Sequence, residues 1–162
     1  MASFQEHLNQ AKENLKFLEQ VNQNLNNFWD WQVTVCFYVA IHLVNAHIAK
    51  TLNLHYRMHH EVKNAINPYR ELSPTKFTEE IFTSYMKLKG LSKRSRYLTK
   101  EVDDTTSETV YFTYDKHLAR AIRHLDIIVN YLADLHNFII NPVKITCLEI
   151  KSKENLKYFI KA

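Results

Sequence analysis

The chain has 162 residues, 46% of them apolar and 23% charged, with 21 basic against 17 acidic side chains and a formal charge of +4. A chain of this length forms one domain that buries about 70% of its unfolded surface. One glycine, Gly90, and three prolines leave no phosphate-cradling loop, dinucleotide fingerprint or nucleophile elbow in usual form, and they favour helices over sheets.

Ser3 with Glu6 three residues later is a capping box that opens a first helix. Phe4, Leu8, Ala11, Leu15, Leu18 and Leu25 continue it with one apolar stripe. Asn26-Asn27 breaks the chain, and Phe28–Leu52 (FWDWQVTVCFYVAIHLVNAHIAKTL) is the most apolar stretch. Its apolar width predicts a helix with neighbours on two or three sides. Tyr38, His42 and Asn45 interrupt it at four- and three-residue spacing, with Trp31 below, so they share one polar face. His42, Asn45, His47 and Lys50 break up the run that a membrane span would need. The N-terminus also lacks a signal peptide, so no membrane and a cytoplasmic location are expected.

A short helix from about Arg57 is stopped by Asn67-Pro68. Ser73-Pro74 reads as a helix start, and one helix is expected over Thr75–Leu98, weakened at Gly90. Residues 100–108 form a polar acidic loop. Asp115 or Thr113 is expected to cap a last helix with Leu118, Ile122, Leu125, Val129, Leu132 and Leu135 on its stripe, ending at Asn141-Pro142. Strand-type runs near 109–113, 143–150 and 158–160 predict a small β appendage: a hairpin within 143–160, or pairing with 109–113. The expected architecture is mainly α. It is one domain over 1–162, an up-and-down four-helix bundle (3–141) with an extra short helix and a C-terminal β extension (143–162).

Five of the nine histidines fall between His42 and His60. His55 and His59 have a metal-capable spacing, but no third ligand stands at a defined distance, and no cofactor is expected. The polar face of Tyr38, His42 and Asn45 needs partners. Arg96 and Tyr97 are the candidates to face it and form a ligand-binding centre, with Lys93 and Arg94 left solvated. Lys87, Lys89, Lys93, Arg94, Arg96 and Lys100 near the end of one helix, and Lys116, Arg120 and Arg123 on the last, would merge into one phosphate-attracting patch if the helices are antiparallel neighbours. Tyr97, Tyr111 or Tyr114 could serve as platforms for single-stranded bases. Cys36, in apolar surroundings, is a poor nucleophile.

The second helix WDWQVTVCFYVAIHLVNAHIAK, the histidine-bearing turn HYRMHHEVKNAI and the later YMKLKGLSKRSRYL together resemble HEPN-like helical-bundle proteins of prokaryotes. The resemblance covers roughly Phe28–Leu98, with a last helix in the corresponding place. It implies an up-and-down bundle that commonly dimerises, often in defence or toxin–antitoxin settings. Many members are metal-independent endoribonucleases that use an arginine followed, after four to six residues, by a histidine on the last helix. Here the nearest arrangement is Arg120 and His124 with three residues between them. That departure favours a homodimeric, non-cleaving module that binds RNA or a nucleotide. A divergent ribonuclease using Arg120 and His124 across a dimer is the enzyme alternative, and a purely structural module for a partner protein is the third.

Overall fold

A computed structural model of the chain describes residues 2–100 and 109–162; the expected acidic loop at 101–108 lies outside the described residues. Five helices, α1 (Phe4–Asn24), α2 (Trp29–Leu52), α3 (His59–Ile66), α4 (Glu79–Tyr97) and α5 (Asp115–His136), precede two short strands, β1 (Val143–Ile145) and β2 (Phe159–Lys161). The mainly helical bundle is therefore the fold. α2 packs against α1, α4 and α5, and α4 packs against α5. Contacts between side chains give the directions. His7–His42 and Asn22–Gln32 make α1 and α2 antiparallel. Ser84–His124 and Ser95–Thr113 run α4 back along the start of α5. His47–His136 places the C-terminal ends of α2 and α5 together.

The Ser3–Glu6 capping box is present, with Glu6 N–H donating to Ser3 Oγ and Glu6 accepting from Ser3 N–H at 2.7 Å. α2 sits at the centre: Val33, Cys36, Phe37, Val39, Ala40, Leu43, Val44 and Ile48 are all essentially inaccessible. By length and composition alone α2 could cross a membrane, yet 83% of its apolar window is buried against the other helices. It is the core helix.

Three boundaries differ from expectation, each because a local signal is diverted. Ser73 does not cap a helix, since its hydroxyl donates to Asn64 O at 2.7 Å. Thr75 N–H and Phe77 N–H bond back to Ala65 and Ile66 carbonyls, so α4 begins later, capped by Thr78. Neither Asp115 nor Thr113 caps α5. Tyr114 occupies the cap position, its N–H donating to His117 Nδ1 at 2.9 Å. The helix stops at His136 rather than at Asn141-Pro142, because Asn137 takes the left-handed conformation (φ 54°) that closes a helix end.

The appendage is not a hairpin. β1 and β2 are parallel, with Val143 opposite Phe159 and Ile145 opposite Lys161. Residues 110–114 form no strand and pair with neither. The reason lies in polar side chains that capture the connecting chain. Asp115 accepts from Leu148 N–H, Glu149 N–H and the Cys147 thiol. Arg123 clamps Glu154 through two bonds and takes the Glu149 carbonyl. Asp126 accepts from Lys157 N–H at 3.2 Å and Tyr158 N–H at 2.8 Å. The chain is thus carried along α5 and returns beside β1 in the same direction. On the other side Asn22 both donates to Thr146 O and accepts Thr146 N–H, and Glu19 accepts Lys144 N–H.

Asp126→Ala should therefore lower stability by about 2–3 kcal/mol, the scale of losing charge-assisted bonds to backbone donors. Urea unfolding measures the loss, and amide exchange should quicken first at Lys157 and Tyr158. Unchanged exchange there would show that the extension is held by its apolar contacts alone.

Candidate functional site

The polar face of α2 is assembled differently from expectation. Tyr38 is 39% exposed, while Asn45 is buried and its Oδ1 has no hydrogen-bond partner among the described residues. Arg96 and Tyr97 do not turn inward to meet them. Both are exposed, with Arg96 Nε donating to Ser92 O and its guanidinium lying over the Tyr97 ring. A residue four positions on from Ser92 reaches back along its own helix more easily than across to another.

The partner of His42 is a histidine remote in sequence, His7, which meets a third. His7 Nδ1 lies 3.2 Å from His42 Nδ1, and His7 Nε2 lies 2.9 Å from His55 Nδ1. A neutral imidazole donates from one nitrogen and accepts at the other, so His7 is the middle link of a directed chain joining α1, α2 and the loop that follows α2. A second set forms one turn further on, where His47 Nδ1 meets His136 Nε2 at 2.8 Å and His47 Nε2 meets Thr75 Oγ1. Burial first, and then the neighbouring histidines, push His7 and His47 down to about 4. His42 and His136 are lowered too, first by burial. Local spacing carries no sign of these sets, because their members are brought together from three or more elements.

His55 and His59 are not brought together as ligands. His55 bonds His7, while His59 packs on the Phe37 ring. No group of three or more His, Cys, Asp or Glu is arranged to hold a metal ion among the described residues. Both nitrogens of His7 point at neighbouring rings, which leaves the trio a hydrogen-bond chain. Burial raises the thiols of Cys36 and Cys147, the latter to about 12, which removes both as nucleophiles near neutral pH.

The cations gather at the opposite end of the bundle, where α4 stops and α5 starts. Leu98 ends α4 with φ 56°, a left-handed position that costs a bulky residue about 1–2 kcal/mol. Its carbonyl accepts Tyr111 N–H at 2.9 Å. Arg94 grips the same segment through Nε and Nη2, both donating to Phe112 O at 3.0 and 2.6 Å, and Ser95 meets Thr113. Residues 110–114 are thereby laid along the last turn of α4, and their exposure alternates. Val110, Phe112 and Tyr114 are about half exposed, whereas Tyr111 and Thr113 are more covered. Arg94 and Lys100 both lie over the Tyr111 ring.

Lys93, Arg96 and the exposed Tyr97 lie on the last turns of α4, and the exposed Lys116 on the first turn of α5. His59 responds to the local field: burial lowers it most, followed by the charges of Arg96 and Lys89. Arg123 does not belong to the patch. Glu154 takes its charge in a bidentate pair at 2.6 and 2.7 Å, which holds the Glu154 carboxyl down at about 2. Arg120 and His124 lie one helical turn apart on α5, both half-buried, with His124 Nδ1 3.4 Å from Ser84 Oγ.

Comparison with family models, with characterised proteins and with solved structures finds no significant match to this chain. The resemblance to HEPN-like proteins accordingly rests on the residues quoted for it.

The histidine sets give a pH dependence with a definite sign. Folding favours neutral His7 and His47, so their contribution is complete above the ordinary histidine value of 6.5 and is lost as the pH falls toward about 4. Each should withdraw on the order of 3 kcal/mol across that window. Urea unfolding between pH 7.5 and 4.5 checks this. His7→Gln, which keeps a donor and an acceptor, should flatten the slope, and an equal slope in the variant would contradict the assignment.

Proposed function

We propose that the chain is a HEPN-like helical module, homodimeric and cytoplasmic, that holds RNA or a nucleotide by its phosphates and does not cleave it. The observation that carries this reading is the gathering of Lys93, Arg94, Arg96, Lys116 and Arg120 where α4 ends and α5 begins. Arg94 and Arg96 are pinned by carbonyl oxygens, of Phe112 and Ser92. A neutral acceptor fixes the side chain without cancelling its charge, so both guanidiniums keep their attraction for phosphate. The buried histidine chain at the other end is the scaffold in this reading. It sets how α1, α2 and the following loop lie together.

A labelled single-stranded RNA should bind with an affinity that falls linearly with the logarithm of salt concentration. Arg96→Ala and Lys116→Ala should each weaken binding and reduce the salt slope by about one. Binding that ignores salt would remove the phosphate reading.

One observation favours an enzyme instead. Arg120 and His124 share a face of α5, a turn apart and neither of them buried. In a dimer, arginine could hold the phosphate while histidine moves the 2′-hydroxyl proton. If RNA is cut, Arg120→Ala and His124→Ala should each abolish cutting while melting like the parent protein. Unaltered cutting would reject the pair. A chain that binds no nucleic acid under any salt condition would be left as the protein-interaction module.

A further inference from the structure

The phosphate-holding surface carries a second feature that phosphate binding does not need. Aromatic side chains are exposed on the last turn of α4 and on the segment that leads into α5. Phe112 is 56% exposed, Tyr114 49% and Tyr97 62%. The first two alternate along a segment fixed at three successive points: Tyr111 N–H to Leu98 O, Arg94 to Phe112 O, and Thr113 to Ser95. Three anchors within three residues make this a rigid strip. The rings are held outward by the backbone beneath them, since the alternate positions, Tyr111 and Thr113, are spent on α4.

From this we infer that the surface takes single-stranded nucleic acid, with bases stacked on Phe112, Tyr114 and Tyr97 and the phosphates between Arg94, Arg96 and Lys116. The inference rests on the phosphate-holding reading above and narrows it to one ligand class. Alternate side chains on an extended backbone stand about 6.7 Å apart. Successive bases in a stacked strand rise about 3.4 Å, so that spacing admits one base between neighbouring rings. Stacking is tolerant of sequence, because every base offers a π-face. In a duplex those faces are already covered by neighbouring bases, so the aromatic rings have nothing to grip. Charge complementarity picks a polyanion over an apolar partner. Arg94 bonds the Phe112 carbonyl of the strip and Arg96 the Ser92 carbonyl of α4, so both guanidiniums keep their charge. The arginine over Tyr97 presents its own flat face beside the ring, which extends the platform by a cation–π surface.

The test is fluorescence anisotropy on the full chain, with three labelled probes at one salt concentration: oligouridylate and oligoadenylate of about twelve nucleotides, and a hairpin duplex carrying the same number of phosphates. The single strands should bind about tenfold tighter than the duplex. Phe112→Ala should weaken the single strands by about tenfold, the effect of losing one stacked base, and leave the duplex unchanged. Phe112→Tyr should restore single-strand binding. Because Phe112 is half exposed, both variants are expected to melt like the parent, and Tyr97→Ala supplies an independent probe of the same surface. Equal affinity for duplex and single strands, or Phe112→Ala and Tyr97→Ala that both bind like the parent, would overturn the stacking inference and leave the phosphate reading standing. Loss of all binding to every probe would overturn both.

Discussion

The constraint on which this fold depends is that α2 is buried over most of its length. Fifteen of its twenty-four residues are buried, and α1, α4 and α5 all pack against it. Buried polar groups on such a helix need partners, and three of them, on Gln32, His42 and His47, find theirs on other elements. Gln32, fully buried, accepts from Asn22 and donates to the carbonyls of Leu25 and Asn26, so it closes the end of α1 as well. His42 takes His7 from α1, and His47 takes His136 from α5. The bundle is thus fixed by apolar packing along α2 and by polar bonds at its two ends.

The same arrangement separates scaffold from surface. The histidine sets occupy the end where α1 begins and α2 and α5 finish, and burial favours the neutral form of His7, His42, His47 and His136. The C-terminal extension is fastened over α1 and α5 by Glu19, Asn22, Asp115, Arg123 and Asp126. That use of Arg123 removes one cation from the last helix. At the other end of α4, Phe112 and Tyr114 are exposed on a segment that Arg94 and Ser95 hold in place. Its one local cost, Leu98 in the left-handed region, sits where the backbone must turn to present the strip.

Much of the fold was legible in the sequence because it is written locally. The Ser3–Glu6 box, the apolar stripes and the width of the apolar surface on α2 needed only a window of a few turns. Local signals failed where a distant group outbid them. Ser73 has the right neighbour for a cap, but the Asn64 carbonyl takes its hydroxyl. The runs at 143–150 and 158–160 have strand composition, but acidic side chains on α5 decide the path between them and so make the strands parallel. The alternation at 110–114 is real in the exposure of its side chains. It does not become the paired strand that one of the two expected arrangements required, because α4, through Arg94 and Ser95, supplies the bonds that a second strand would have made. The basic patch and the platforms Tyr97 and Tyr114 were legible as composition. Phe112, the central ring, was missed although its alternation with Tyr114 was there to be read. The partners of His7 were hidden for a different reason: His42 and His55 lie 35 and 48 residues from it in the sequence, beyond any periodicity.

The central claim is that recognition occurs where α4 ends and α5 begins, while the histidine end is structural. Amide chemical shifts followed during titration with oligouridylate test it most directly. The account predicts changes confined to residues 93–98, 110–114 and the first turns of α5, with the amides of His7, His42, His47 and His55 unmoved. Changes centred on those histidines, with residues 110–114 silent, would contradict it.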